Sequence, residues 1–374
     1  METKAEREFT WLKTGEKAIA EMLPVIQSAR KTIRLELYIF ASDTTGESIR
    51  GALVDAAKRG VRVQVMVDAL GSIYLSDSFW KPLRAAGGEM RWFNPLRSNR
   101  PSFRDHRKLL VCDERAAIIG GFNVADVYQG DGVSRGWRDL GLKINGELAG
   151  ALADAFDQMF VCAEFRHKPF ARLRKSRRQK TLYRSEGQLL LSGPSRNNPI
   201  RRALHIDMRH ARDVALVSAY FLPPWKVRRD LIRLARRGAR VRLVLPGKSD
   251  VKMSQLAGQS FYRRLLTAGI EIYEYQPQIL HAKLFLLDDI AYVGSSNLDA
   301  RSLTLNYELM VRIPNAALAA EGRAIFEELV GHCRRISLSE WQGQRSFWER
   351  LKARLAHFIL ARLDLVVAKW QLRD

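Results

Sequence analysis

Asp105-His106-Arg107-Lys108-Leu109-Leu110-Val111-Cys112-Asp113, then Gly120-Gly121-Phe122-Asn123, returns later as Leu280-His281-Ala282-Lys283-Leu284-Phe285-Leu286-Leu287-Asp288, then Gly294-Ser295-Ser296-Asn297. Both stretches read His-x-Lys-x4-Asp followed by Gly-x-x-Asn. Average residue usage produces the first of these patterns on the order of once per ten thousand starting positions, so two copies with the same tail mark a duplication. In extended chain, residues two apart project to one side, which points His106 with Lys108 and His281 with Lys283. A turn and a returning strand then bring Asn123 and Asn297 back beside them.

The duplication extends outward from the motifs. Short β-branched runs alternate with helix-length segments at 32–40, 61–68, 89–93, 108–113 and 116–121. The order returns at 213–221, 239–245, 270–275, 283–288 and 291–294. Lys58-Arg-Gly-Val-Arg-Val63 echoes Arg236-Arg-Gly-Ala-Arg-Val241. Strands alternating with helices predict an α/β chain with parallel pairing. The expected division is a first lobe over 1–165, a basic linker over 166–185, a second lobe over 186–336 and an amphipathic basic segment over 337–374.

Each lobe offers one imidazole, one cation and one amide. Face to face they suit a tetrahedral phosphodiester. One neutral histidine attacks phosphorus while the other, protonated, donates to the departing oxygen. Lys108, Lys283, Asn123, Asn297 and Ser295 are the candidate phosphate-binding groups, so no metal or other cofactor is expected. Asp113 and Asp288 complete the motifs, but they lie an odd number of residues from their histidines. They are therefore assigned a structural salt-bridge role. Cys112 alternates with apolar strand residues and reads as core.

These residues resemble the phospholipase D superfamily, which the duplicated His-Lys-Asp motif defines. The phrases Leu37-Tyr-Ile-Phe40, Arg104-Asp-His-Arg-Lys108, Gly136-Trp-Arg-Asp-Leu140, Ser295-Ser-Asn-Leu-Asp-Ala-Arg-Ser302 and Asn306-Tyr-Glu308 are similar to its bacterial cardiolipin synthase branch. The likeness covers roughly residues 10 to 335. It implies two similar lobes, each a mixed, mostly parallel sheet flanked by helices, with the active site at the lobe interface. It also implies phosphatidyl transfer through a phosphohistidine, with the nucleophile at His106. In this superfamily an acid some 25 to 35 residues after each motif histidine orients it, which places Asp139 and Glu308 in that role. The transmembrane hairpin of some cardiolipin synthases is not seen, so short, non-spanning members are the closer likeness.

The chain has 374 residues, 62 Lys and Arg against 40 Asp and Glu, and a net charge of +22. That excess attracts polyanions, either an anionic phospholipid membrane or nucleic acid. Three scattered cysteines build neither a disulfide framework nor a zinc site, which fits a reducing compartment. With no secretory signal or spanning stretch, the expected location is peripheral, on the cytoplasmic face of the membrane. Residues 166–180 carry eight cations and no acid, as a strap for an anionic surface or a solvated linker would. From Ser346 to Asp374, apolar residues recur at helical spacing between Trp348 and Trp370 with cations interspersed. This pattern fits an interfacial helix or one that closes the second lobe. Ile73, Tyr74, Leu75, Phe79 and Trp80 read either as an acyl entrance or as a packed surface helix. Phospholipid substrates are preferred over nucleic acid because of this tail and the synthase-like phrases. Hydrolysis and a family nuclease are the alternatives.

Overall fold

The computed structural model describes residues 7–95, 102–163, 180–183, 187–195, 197–343 and 347–360. The first sheet contains β1 (Phe9–Leu12), β2 (Thr32–Leu37), β3 (Arg62–Asp68), β4 (Glu89–Phe93), β5 (Leu109–Cys112), β6 (Ala116–Gly120) and β7 (Gly141–Asn145), in the order β1-β7-β6-β5-β2-β3-β4. Helices Gly15–Ser28, Thr44–Lys58 and Glu147–Phe160 flank it. The start of Thr44–Lys58 is fixed by Asp43, whose carboxylate accepts the Gly46 N–H at 3.0 Å and satisfies a donor the helix itself leaves unpaired.

In the second half come β8 (Lys180–Tyr183), β9 (Gln188–Ser192), β10 (Asp213–Val217), the short β11 (Phe221–Leu222), β12 (Arg240–Pro246), β13 (Glu271–Tyr275), β14 (Leu284–Leu287), β15 (Ile290–Gly294), the short β16 (Leu298–Asp299), β17 (Glu308–Pro314) and β18 (Cys333–Ile336). They form a sheet in the order β18-β13-β12-β10-β14-β15-β17-β9-β8, with β11 and β16 paired separately. The repeat is thus visible strand for strand. β2-β3-β4 corresponds to β10-β12-β13, and the β5–β6 hairpin to β14–β15.

Both sheets are mixed. Parallel pairing is confined to β2-β3-β4 and β10-β12-β13, and the other described pairings in the two sheets are antiparallel. The sheets are mixed as expected, but antiparallel rather than parallel pairings predominate in them. The motif hairpins β5–β6 and β14–β15 turn through short loops that only antiparallel strands permit, and β7, β17 and β9 pair antiparallel beyond them. β8 also falls inside the stretch expected to be linker, while residues 164–179 lie outside the described residues.

The lobes meet through apolar side chains. Leu109 and Val111 of β5, with Ile119 and Leu142, share one buried cluster with Leu284, Leu286, Val293, Leu309 and Val311. The alternate residues point the other way. Leu110, Cys112 and Ile118 enter the first lobe's own core, and Phe285, Leu287 and Tyr292 enter the second's. Strand alternation thus buries both faces of the central strands, one against helices and one against the partner lobe. Removing that area from water fixes the relative position of the lobes.

Candidate active site

His106 and Lys108 occupy the extended segment that enters β5, and His281 and Lys283 the segment that enters β14. The backbone joins these segments across the lobes in matching ways. The His106 N–H donates to the Tyr307 carbonyl at 2.9 Å, and the Tyr307 N–H to Arg104 at 2.9 Å. The His281 N–H donates to the Arg138 carbonyl at 2.8 Å, and the Arg138 N–H to Ile279 at 2.8 Å. Each motif histidine therefore lies beside the residue that precedes the other lobe's acid.

Side chains follow that exchange. His106 Nδ1 is 3.1 Å from Glu308 Oε2, and His281 Nδ1 is 2.7 Å from Asp139 Oδ2. The family resemblance implies an acid for each lobe's own histidine, but each acid serves the histidine of the opposite lobe. All four groups are buried.

The two pairs differ. Glu308 accepts the Ser295 hydroxyl at 2.5 Å, and its pKa lies below the ordinary value. Burial opposes that shift, but His106, Lys108 and Ser295 outweigh it. Asp139 has the Leu140 N–H at 2.8 Å, and burial raises it to about 7 against the pull of Lys283 and Lys108. Burial draws His106 down to about 4, with Glu308 opposing and Lys108 adding to the fall. Burial and the cation of Lys283 hold His281 well below its usual range.

Lys108 Nζ donates to the His106 carbonyl at 2.6 Å, and Lys283 donates to the His281 carbonyl. Burial lowers Lys108 to about 7 and Lys283 to about 8. The two ammonium groups also depress each other's lobe, since Lys283 contributes to the lowering of both Lys108 and His106. The site thus holds two buried lysines close enough to repel each other when charged, which an anion would relieve.

The remaining predicted residues are placed as follows. The Asn123 side-chain carbonyl accepts the Ile39 N–H at 2.9 Å, and its amide donates to the Tyr128 hydroxyl at 2.8 Å. Asn297 accepts the Tyr220 N–H at 3.4 Å through Oδ1, and no hydrogen bond of its Nδ2 is found among the described residues. The Ser295 hydroxyl, read as phosphate-binding, is engaged by Glu308 and by the Leu309 N–H at 3.1 Å. Its counterpart Gly121 has no room for a side chain, because a Cβ there would sit 2.3 Å from Asp139 Oδ1.

Asp113 and Asp288 turn away from the site, but they hold backbone rather than a salt bridge. Asp113 accepts the N–H groups of Arg30, Lys31 and Thr32, and Asp288 those of Arg212 and Asp213. Each sits in the left-handed region, at φ 54° and 47°, a conformation that aspartate tolerates. The hairpin loop is three residues in the first motif and two in the second, so six residues separate Asp113 from Gly120 but only five separate Asp288 from Gly294.

Several neighbours were not singled out from the sequence. Tyr38 packs edge-on to His106 at 5.2 Å, and Tyr128 and Trp137 lie 5.6 and 5.5 Å from His281. Asp68, paired with Arg104 at 3.2 Å, accepts the Asp105 N–H at 2.8 Å and braces the segment carrying His106. Tyr38 and Trp137 lie inside the phrases that carry the family resemblance, which was the available signal. Of the suggested acyl entrance, Leu75, Phe79 and Trp80 are core residues, whereas Ile73 and Tyr74 are exposed.

Comparison with known proteins identifies the family. Residues 22–159 and 204–330 match the family described as cardiolipin synthase, phospholipase D-like domain. Cardiolipin synthase 1 of Bacillus cereus is 34% identical over 362 residues, 93% of this chain and 71% of the relative. The major cardiolipin synthase ClsA of Bacillus subtilis is 32% identical over 358 residues, 92% and 73% of the two chains. The fold is also that of phosphatidylserine synthase from Haemophilus influenzae, with a TM-score of 0.74 at 15% identity over 96% of this chain and 95% of that one. With two lobes, two crossed histidine–acid pairs and these relatives over most of its length, the chain belongs to the cardiolipin synthase family of phospholipase D-type phosphatidyltransferases.

Proposed function

We propose that the protein makes cardiolipin by moving a phosphatidyl group from phosphatidylglycerol to the headgroup hydroxyl of a second phospholipid, through a phosphohistidine on His106. The observation that carries this reading is the inequality of the two crossed pairs. Ionised Glu308 favours the His106 tautomer with its proton on Nδ1, leaving Nε2 free to attack phosphorus. Asp139, which burial raises to about 7, sits 2.7 Å from His281 Nδ1, and this pair is placed to pass a proton to the departing oxygen.

In the first step the Nε2–P bond forms and the bond from phosphorus to the glycerol oxygen breaks. The proton of the Asp139–His281 pair goes to that glycerol. In the second, His281 takes the proton of the acceptor hydroxyl, whose oxygen attacks phosphorus and releases His106. Lys108, Lys283 and the Asn297 amide face the non-bridging oxygens, and their stabilisation grows as charge gathers there. The phosphate's own charge offsets the lysine repulsion, so substrate binding restores protonation that burial opposes.

The membrane role is peripheral, at the cytoplasmic face. Among the described residues no helix is long and apolar enough to cross a bilayer. The test is to incubate purified protein with phosphatidylglycerol vesicles and identify products by mass. Cardiolipin with free glycerol is expected. Phosphatidic acid alone would replace transfer by hydrolysis, and cleavage of DNA with lipid untouched would replace both by a nuclease.

A further inference from the structure

The second lobe carries an exposed apolar surface that the chemistry leaves unused. Helix Phe347–Phe358 packs along helix Lys252–Gln259, burying Ala353 and Ala356 and setting the His357 ring 4.8 Å from Phe261. The tail's first turns therefore close on the lobe, and residues 361–374 lie outside the described residues. Leu355 and Phe358 remain 57% and 51% exposed on one of these helices and Met253 and Leu256 45% and 37% on the other, while Trp225, 54% exposed, opens the helix that carries Arg228. Large apolar side chains gathered in this way on a soluble surface mark an interaction site.

Arginines border it. The Arg228 guanidinium lies over Phe261 at 4.3 Å, and its pKa is lowered by burial and by nearby Arg264. Neither arginine has a carboxylate partner among the described residues. Two adjacent cations with no carboxylate partner among the described residues, at the edge of an apolar patch, are complementary to lipid phosphates above acyl chains. The patch also leads to the cleft. Tyr220, 6.3 Å from the His281 ring, hydrogen-bonds Asp250 at 2.7 Å. Helix Lys252–Gln259 starts two residues beyond Asp250, and helix Trp225–Arg236 starts five beyond Tyr220.

We infer that this surface, with Trp225, Met253, Leu256, Leu355 and Phe358 in the acyl boundary and Arg228 and Arg264 at headgroup phosphates, docks the protein on an anionic bilayer and sets the cleft mouth at the lipid plane. The inference rests on the proposed use of phospholipid substrates and identifies how they are reached.

The test uses the full chain and vesicles of phosphatidylglycerol mixed with phosphatidylcholine, or of phosphatidylcholine alone. Met253→Glu/Leu256→Glu and Leu355→Glu/Phe358→Glu should each weaken sedimentation with mixed vesicles by about tenfold or more. Arg228→Gln/Arg264→Gln should cut the preference for anionic vesicles by about tenfold. Transfer on a short-chain phosphatidylglycerol below its micelle concentration should stay within about twofold, which also shows that the variants fold. Unchanged vesicle binding in all three variants would overturn the docking surface while leaving the enzymatic reading intact. A wild-type dimer broken by these substitutions, with vesicle binding unaffected, would assign the patch to a second copy and equally overturn it. If wild-type protein bound vesicles but produced no new lipid, the proposed reaction would fall and the docking surface would stand.

Discussion

Asp139→Asn and Glu308→Gln are nearly isosteric, yet they should stop the reaction at different points. Asp139 is the acid bonded to His281, at 2.7 Å, and a hydrogen bond to a charged group contributes about 1.5–3 kcal/mol. At about 1.4 kcal/mol per factor of ten, its loss costs about 10- to 150-fold per step. The pair's proton is lost with it, so transfer from phosphatidylglycerol should slow by about 10²–10⁴-fold. A nitrophenyl phosphodiester changes the outcome, because nitrophenolate departs without a proton. The first step then proceeds on intact His106, and the second stalls for want of a base at His281. Intact-mass and peptide mass spectrometry under alkaline quench should find an adduct on the peptide containing His106 in Asp139→Asn. In Glu308→Gln no adduct should form, because His106 has lost the carboxylate 3.1 Å from Nδ1 that fixes its tautomer. An adduct on His281 in Glu308→Gln would reverse the assignment. Identical behaviour of the two variants would refute the inequality on which the mechanism stands.

Gly121→Ser, which copies the second lobe's residue into the first, places a Cβ 2.3 Å from Asp139 Oδ1 and should destabilise by about 1–3 kcal/mol, read as a lower urea midpoint. Folded Lys108 releases its proton at about 7 rather than the ordinary 10.5, so unfolding takes up a proton between those values and stability rises with pH across that window. Lys108→Met should accordingly stabilise most at pH 7 and below, with the gain fading toward pH 10 in denaturant titrations. Activity should fall as pH rises through 7 to 8, where Lys108 and Lys283 lose charge, and a kcat/KM profile flat across that range would contradict their role at the phosphate. Because those ammonium groups already supply the positive charge, turnover on a short-chain substrate should survive exhaustive chelation; recovery only with one divalent ion would show otherwise.

Much of this protein was decided within short windows of sequence. His106 with Lys108, and His281 with Lys283, project together because extended chain alternates with a period of two. The apolar runs after them are buried because those strands are covered on both faces. The one-residue difference in spacing is a turn, a local property. Contacts between distant segments were not legible in this way. The family resemblance singles out Asp139 and Glu308, but only the packing of one lobe against the other gives each acid the opposite histidine, through backbone pairing at Tyr307 and Arg138. Ser295 and Gly121 look like a variable position until the space around Asp139 is known. Asp113 and Asp288 look like ion-pair partners until the backbone N–H groups of Arg30–Thr32 and Arg212–Asp213 are seen to take their oxygens. Side-chain direction along a strand is set by neighbouring residues, whereas a buried polar atom takes whichever partner the completed fold leaves within reach, and that partner is fixed only when both lobes have closed.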